Sequence, residues 1–218
     1  MNCLVVSATI LEIKPFIQHL HNTSKLDYID LQIDFLVTGV GSVNTTYTLM
    51  KHLQVKKPDL VVMAGIAGAF SPKLKLGSVV AVKQETMADL GVMEKDGYKD
   101  VFDLKLIPAN QFPFTKKKLI NPFTAILERT GLPLVNSVTV NQITANKKTA
   151  ALYQTKYKAG IENMEGAALH LVCSKEKIPF VQIRSISNYV GERNKKKWML
   201  KESVEALNKE LIRFVESL

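Results

Sequence analysis

Pro58-Asp59-Leu60-Val61-Val62-Met63-Ala64-Gly65-Ile66-Ala67-Gly68 is the stretch on which the fold turns. Leu60 to Ala64 offers no polar position for a solvent-facing side, so it predicts a strand buried on both faces. Pro58-Asp59 ends whatever helix precedes it, and Gly65-Ile66-Ala67-Gly68 is expected to close the strand in a tight exit. A strand buried on both faces belongs inside a parallel sheet with helices on either side. The flanking sequence supplies both kinds of element.

Upstream, Asn2 to Ser7 is a short β-branched run that feeds a helical pattern from about Ile10 to Leu20. Ile33 to Val37 predicts a second strand. Thr38-Gly39-Val40-Gly41-Ser42 then turns into a helix with Val43, Tyr47, Met50 and Leu53 on one side. Downstream, Gly77 to Lys83 predicts a strand, and Asp89 to Phe114 is mixed and rich in turn residues. Pro122 to Arg129 then predicts a helix, Leu134 to Val140 a strand, and Lys147 to Tyr157 a helix. Ala159 to Met164 predicts a short strand, Glu165 to Glu176 a helix, Ile178 to Ser187 the last strand, and about Lys196 to Leu218 a closing amphipathic helix. Alternating strands and helices predict an α/β fold: three αβα layers around a central mixed, mostly parallel β-sheet, as a single domain over residues 1–218.

Composition narrows the classes further. With 218 residues and 46% hydrophobic content, the chain can bury one substantial core, and no apolar run is long enough to span a bilayer. The amino terminus has no basic segment before its apolar stretch and carries Glu12 just behind it, so a cytoplasmic location is expected, with no membrane partner. Cys3 and Cys173 lie on apolar segments and form no ligand set with His, so buried free thiols are expected and neither a metal nor another cofactor. The net charge of +9 is the one feature that could suggest nucleic acid. Its lysines fall in short clusters, such as Lys116-Lys117-Lys118 and Lys195-Lys196-Lys197, without interleaved aromatics, so a solvated surface is expected instead.

In doubly wound sheets ligands sit beyond the carboxyl ends of strands. Four such ends carry candidates: Glu12, Gly65 to Gly68, Met164-Glu165, and Ser187-Asn188. Each alone has a plain structural explanation. A carboxylate in the first turn of a helix complements its dipole, a short Gly pattern can be a simple turn, and Asn is a common turn or cap residue. Their joint order carries more.

Ser7-Ala8 with Glu12, Thr38 to Asn44, Gly65 to Ala69, Glu162-Asn163-Met164-Glu165-Gly166-Ala167-Ala168 and Ile183-Arg184-Ser185-Ile186-Ser187-Asn188 together resemble the nucleoside phosphorylase/nucleosidase superfamily over essentially the whole length. Ala88 to Gly91, Asn110 to Phe114 and Ser187 to Asn194 look most like its futalosine hydrolases, which release hypoxanthine from futalosine in menaquinone biosynthesis. That resemblance implies an N-ribosyl hydrolase with a small-molecule nucleoside substrate, assembled as a homo-oligomer of two or more copies. Other nucleosidases or phosphorylases acting on inosine, methylthioadenosine or S-adenosylhomocysteine are alternatives, and a non-catalytic nucleoside- or nucleic-acid-binding protein is a more distant one.

The resemblance also implies roles. Glu12 would be the general base for water, and Glu165 would accept from the ribose hydroxyls with Met164 against the sugar; the transition state is oxocarbenium-like. Related enzymes that act on aminopurines carry Asp where Asn188 stands. An amide donates to N7 or a 6-oxo group but cannot serve as an acid, which suits hypoxanthine. Val40, Ile66, Ala67, Ile143 and Thr144 would line the sugar and base, and Arg193 is a candidate partner for a substrate carboxylate. Hexameric phosphorylases of the superfamily bind phosphate with an Arg and a Ser where Met63 and Ile66 stand, so water is the expected nucleophile. In related enzymes a neighbouring subunit closes the pocket, and Phe102 and Phe112 are candidates for that contact.

Overall fold

The computed structural model describes residues 1–22 and 31–218. Strand β1 (Asn2–Ser7) leads into α1 (Ile10–Asn22), β2 (Gln32–Val37) into α2 (Ser42–Val55), and then comes the decisive strand β3 (Leu60–Ala69). β1 lies between β2 and β3, parallel to both. Alternate residues of β3 bury opposite faces, as period-2 geometry requires. Leu60, Val62 and Ala64 pack with Ile13 and Phe16 of α1, while Val61 and Met63 pack with Leu49 of α2.

The chain continues through β4 (Val79–Met87), the hairpin β5 (Gly91–Glu94) and β6 (Gly97–Asp100), β7 (Leu119–Ile120), α3 (Thr124–Arg129), β8 (Leu134–Thr139) and α4 (Lys147–Tyr157). It ends with β9 (Ile161–Asn163), α5 (Gly166–Glu176), β10 (Phe180–Tyr189) and α6 (Leu200–Glu216). Leu207, Leu211 and Phe214 of α6 join the α1 side of the sheet, and Leu169, Val172 and Cys173 of α5 join the α2 side. The result is the expected three-layer α/β arrangement around a mixed, mostly parallel sheet.

Two features exceed the sequence expectation. The strand from Leu60 does not exit at Gly65 but runs on to Ala69, because residues 65–69 stay paired with β10 on one side and, at Gly68 and Ala69, with β9 on the other. Since β10 also pairs with β4, β4 with β8, and β8 with β9, the strands β3, β10, β4, β8 and β9 close into a ring. β4 likewise starts and ends later than expected, at Val79 and Met87, with β8 beside it as far as Met87. The turn-rich segment after Asp89 contains the β5–β6 hairpin. It is tied down by Lys156, which reaches Asp103 at 2.5 Å and Asp100 at 3.3 Å. Phe102 is buried there against Phe114, with ring centroids 5.1 Å apart, whereas Phe112 is exposed.

His170 of α5 is fully buried, with Nδ1 3.0 Å from Leu119 O and its ring edge-on to Phe180. Burial pushes its pKa down to about 4. The unfolded chain therefore takes up a proton near pH 6.5 that the folded state refuses, and stability falls as pH drops from about 6.5 towards 4. At pH 5 this amounts to about 2 kcal/mol. Thermal melts of the parent and His170→Gln at pH 7.5 and 5 should show the larger acid loss in the parent. Equal losses would contradict it.

Candidate active site

Glu12 caps its own helix with one carboxylate oxygen and turns the other towards the central strand. Thr9 precedes α1 and Glu12 is its third residue, a capping-box spacing, and Glu12 Oε2 accepts from Thr9 N and Oγ1, both at 3.0 Å, and from Ser7 Oγ at 3.1 Å. The other oxygen, Oε1, faces β3 and accepts from Ile66 N at 3.0 Å. The backbone beneath is pinned as well. Near Pro15 the helix ladder is opened by Asn208 of α6, which accepts from Phe16 N at 2.9 Å and donates to Glu12 O at 2.8 Å. The carboxylate is thus fixed from both ends.

Glu165 stands at the start of α5 but does not cap it. Asn163 does so, its Oδ1 accepting from Glu165 N at 3.0 Å and Gly166 N at 2.6 Å. That leaves the Glu165 carboxylate for two distant partners: Gly41 N at the start of α2, 3.1 Å from Oε1, and Arg184 Nη2, 3.2 Å from Oε2. Ser42 Oγ donates to Met164 O at 3.1 Å and secures the same junction.

Arg184 lies within a quoted motif but was given no role by sequence reasoning. Its side chain is 2% exposed, and besides Glu165 it reaches Asn163 Oδ1 at 3.1 Å, Met63 Sδ at 3.4 Å and Ile66 O at 3.4 Å. Gly65 makes room for it. A Cβ at that position would sit 2.4 Å from Arg184 Nη1 and 3.0 Å from Glu12 Oε1. The glycine serves close approach within a strand rather than a turn. Met63, facing Arg184, does not line the cleft.

Behind Asn163 lies a second buried acid. Glu85 receives Asn163 Nδ2 at 2.7 Å, Gln182 Nε2 at 3.0 Å and Thr139 Oγ1 at 2.9 Å, and burial raises its pKa despite those donors and the charge of Arg184. For Arg184 the signal was available in the sequence, since a charged residue in a doubly buried strand must be paired, whereas Glu85 lies beyond the Gly77 to Lys83 strand that the sequence predicts.

These elements enclose a cleft of about 390 Å³. Glu12, Val40, Ile66, Ala67, Ile143, Met164, Glu165 and Asn188, all expected from sequence, line it together. Thr144 is buried just behind the wall, where its N–H donates to Glu162 at 3.0 Å. Arg193 is exposed outside it, its guanidinium stacked 5.5 Å from the ring of Trp198, which does line the cleft. Asn188 is oriented by Ser187, whose hydroxyl donates to Oδ1 at 2.9 Å, and the amide NH2 donates one proton to Tyr189 O at 3.2 Å, which leaves it one further N–H. Among the described residues the lining carries three carboxylates, Glu12, Glu162 and Glu165, and no Lys or Arg. Among the described residues no group of acidic, His or Cys side chains could hold a metal ion, and no helix is long and apolar enough to cross a membrane.

Residues 12–218 match the family model described as the phosphorylase superfamily. The chain is 32% identical over 180 residues to a futalosine hydrolase of Streptomyces coelicolor, covering 80% of this chain and 74% of that protein. It is 30% identical over 174 residues to a futalosine hydrolase of Thermus thermophilus, covering 79% and 76%. Among solved structures, futalosine hydrolase of Helicobacter pylori superposes with a TM-score of 0.83 at 19% identity, covering 100% of this chain and 98% of that one.

Proposed function

Since the chain belongs to the phosphorylase superfamily, we propose that it is an N-ribosyl hydrolase that cleaves futalosine to hypoxanthine and dehypoxanthine futalosine, a step of menaquinone biosynthesis. The bond from ribose C1′ to the base breaks, and its electron pair leaves with the base as the hypoxanthine anion, which takes a proton from solvent on departure. Water attacks C1′, and its proton passes to Glu12, whose Oε1 faces the cleft beside Ile66. Glu165, held by Arg184 and Gly41 N, accepts from the ribose hydroxyls and adds negative charge where the oxocarbenium ion develops. Met164 packs on the sugar, with Val40 at the mouth and Ala67 on the wall.

At the far end the Asn188 NH2 donates to N7 or O6 of the departing oxopurine, between Ile143 and the wall backed by Thr144. Arg193, steadied on Trp198 at the rim, pairs with a carboxylate on the substrate's outer group. A second copy of the chain covers α2, where Val43 and Tyr47 are 78% and 67% exposed close to the cleft mouth. The protein works in the cytoplasm as one domain.

The observation that carries hydrolysis over phosphorolysis is the lining. Phosphate would face Glu12, Glu162 and Glu165 with no lining cation among the described residues, since Arg184 is already engaged beneath the floor. Parallel incubations with futalosine, inosine and methylthioadenosine in phosphate-free buffer, followed by chromatography of released base, test this. Release of hypoxanthine from futalosine well ahead of base from the other two is expected. Release that requires added phosphate, or that favours methylthioadenosine, would overturn it.

A further inference from the structure

Glu162 is 7% exposed, lines the cleft, and is used neither for chemistry on the sugar nor for holding Glu165. One oxygen, Oε1, accepts from Thr144 N at 3.0 Å. The other, Oε2, is buried and completes no hydrogen bond among the described residues; Thr144 Oγ1, near enough to favour the charged form, completes none there either. A buried carboxylate oxygen at a ligand cleft with no partner is costly unless the ligand supplies one.

The strand register places this group. On β3, Gly68 is opposite Glu162 of β9 and also opposite Asn188 of β10. Glu162, Gly68 and Asn188 thus form one row across three strands, with the outer Cα atoms about 10 Å apart at the usual strand spacing. Residues of one row project to the same side of a sheet, and the middle member has no side chain. A Cβ on Gly68 would lie 3.2 Å from Asn188 Nδ2 and 3.2 Å from Val190 Cγ2, so the floor between the two polar groups stays open only for glycine.

We infer that Glu162 and Asn188 together read the edge of a 6-oxopurine laid over Gly68: Asn188 donates to N7 or O6, and the Glu162 carboxylate accepts from N1–H. The inference rests on the functional reading above and names how that site selects its base. A 6-oxopurine presents acceptor, acceptor, donor along this edge. A 6-aminopurine presents acceptor, donor, acceptor, and its N1 lone pair would meet the carboxylate head-on. Burial raises the Glu162 pKa, with Asp89 adding to the rise, while Thr144 and the charge of Arg193 lower it. Specificity built from such pairs is steep because a mismatched base leaves buried polar groups unpaired.

The test compares the parent and Glu162→Gln, an isosteric change that keeps an acceptor for Thr144 N. For futalosine, kcat/KM should fall by about 100-fold, the scale of a lost hydrogen bond to a buried charge. For the nucleoside with the same outer group and a 6-aminopurine base it should stay level or rise. In parallel, calorimetry with the free bases should show the parent preferring hypoxanthine over 1-methylhypoxanthine by at least about tenfold, and Glu162→Gln losing most of that preference. A parent that hydrolyses futalosine while the variant keeps the same ratio between the two substrates overturns the role of Glu162 alone. A parent inert towards futalosine overturns the functional reading, and the free-base arm then decides Glu162 by itself: equal preference in both proteins overturns it.

Discussion

Glu12→Gln is expected to lower kcat on futalosine by about 10³-fold or more while KM moves only a few-fold, because an amide cannot take the proton of the attacking water. The glutamine fills the same space, and its oxygen can still accept from the first turn of α1. Its NH2 must then point at Ile66 N, a donor facing a donor where the carboxylate now accepts at 3.0 Å. That mismatch adds a stability loss of about 1–3 kcal/mol, readable as a lowered Tm in a protein that still folds. If instead kcat survives within tenfold and only KM rises, Glu12 is a cap and a binding group, and another residue activates water.

The second large effect is expected at Arg184. Arg184→Met removes the partner of a buried Glu165 whose side chain is 6% exposed and strips Asn163 Oδ1 of one of its three donors. Breaking a buried pair from one side costs about 3–5 kcal/mol, because the remaining charge stays desolvated. Replacing Glu165 by Gln in the same background should recover part of that stability, since no uncompensated charge then remains. Activity should not recover. Melting and kinetics on the two single variants and the double variant distinguish this from simple packing damage, in which the second substitution would lower the Tm further.

Most of the fold could be read from the sequence because its signals are local. The unbroken apolar run from Leu60 to Ala64 could only be a doubly covered strand, and the helix at α2 follows from the Gly-rich turn ahead of it. The extension of β3 to Ala69 could not be read in this way. Gly65 to Gly68 is as good a turn as it is a strand until the neighbours β9 and β10 are known, and both arrive about a hundred residues later in the chain. The closure of the ring is lost for the same reason.

At the site, residues at strand ends were legible, and Glu12, Asn188, Met164 and Glu165 come to one cleft. What was missed lies beneath and beside them. Arg184, Glu85 and Gln182 act through pairings between strands that are far apart in sequence, and Glu162 was masked by its more prominent neighbours Met164 and Glu165. Arg193 follows the last strand closely, and the turn at Gly191 and the stacking on Trp198 put it at the rim of the cleft rather than in its lining, a placement that needs the folded loop to be seen.

The identity of the nucleophile is the centre of the account, and mass spectrometry of the sugar product decides it. Futalosine is incubated with the protein in 18O-labelled water containing millimolar phosphate, and the products are analysed within minutes. The account predicts hypoxanthine and a free sugar product carrying one 18O at C1′, in equal amounts. A sugar 1-phosphate without the label would contradict it.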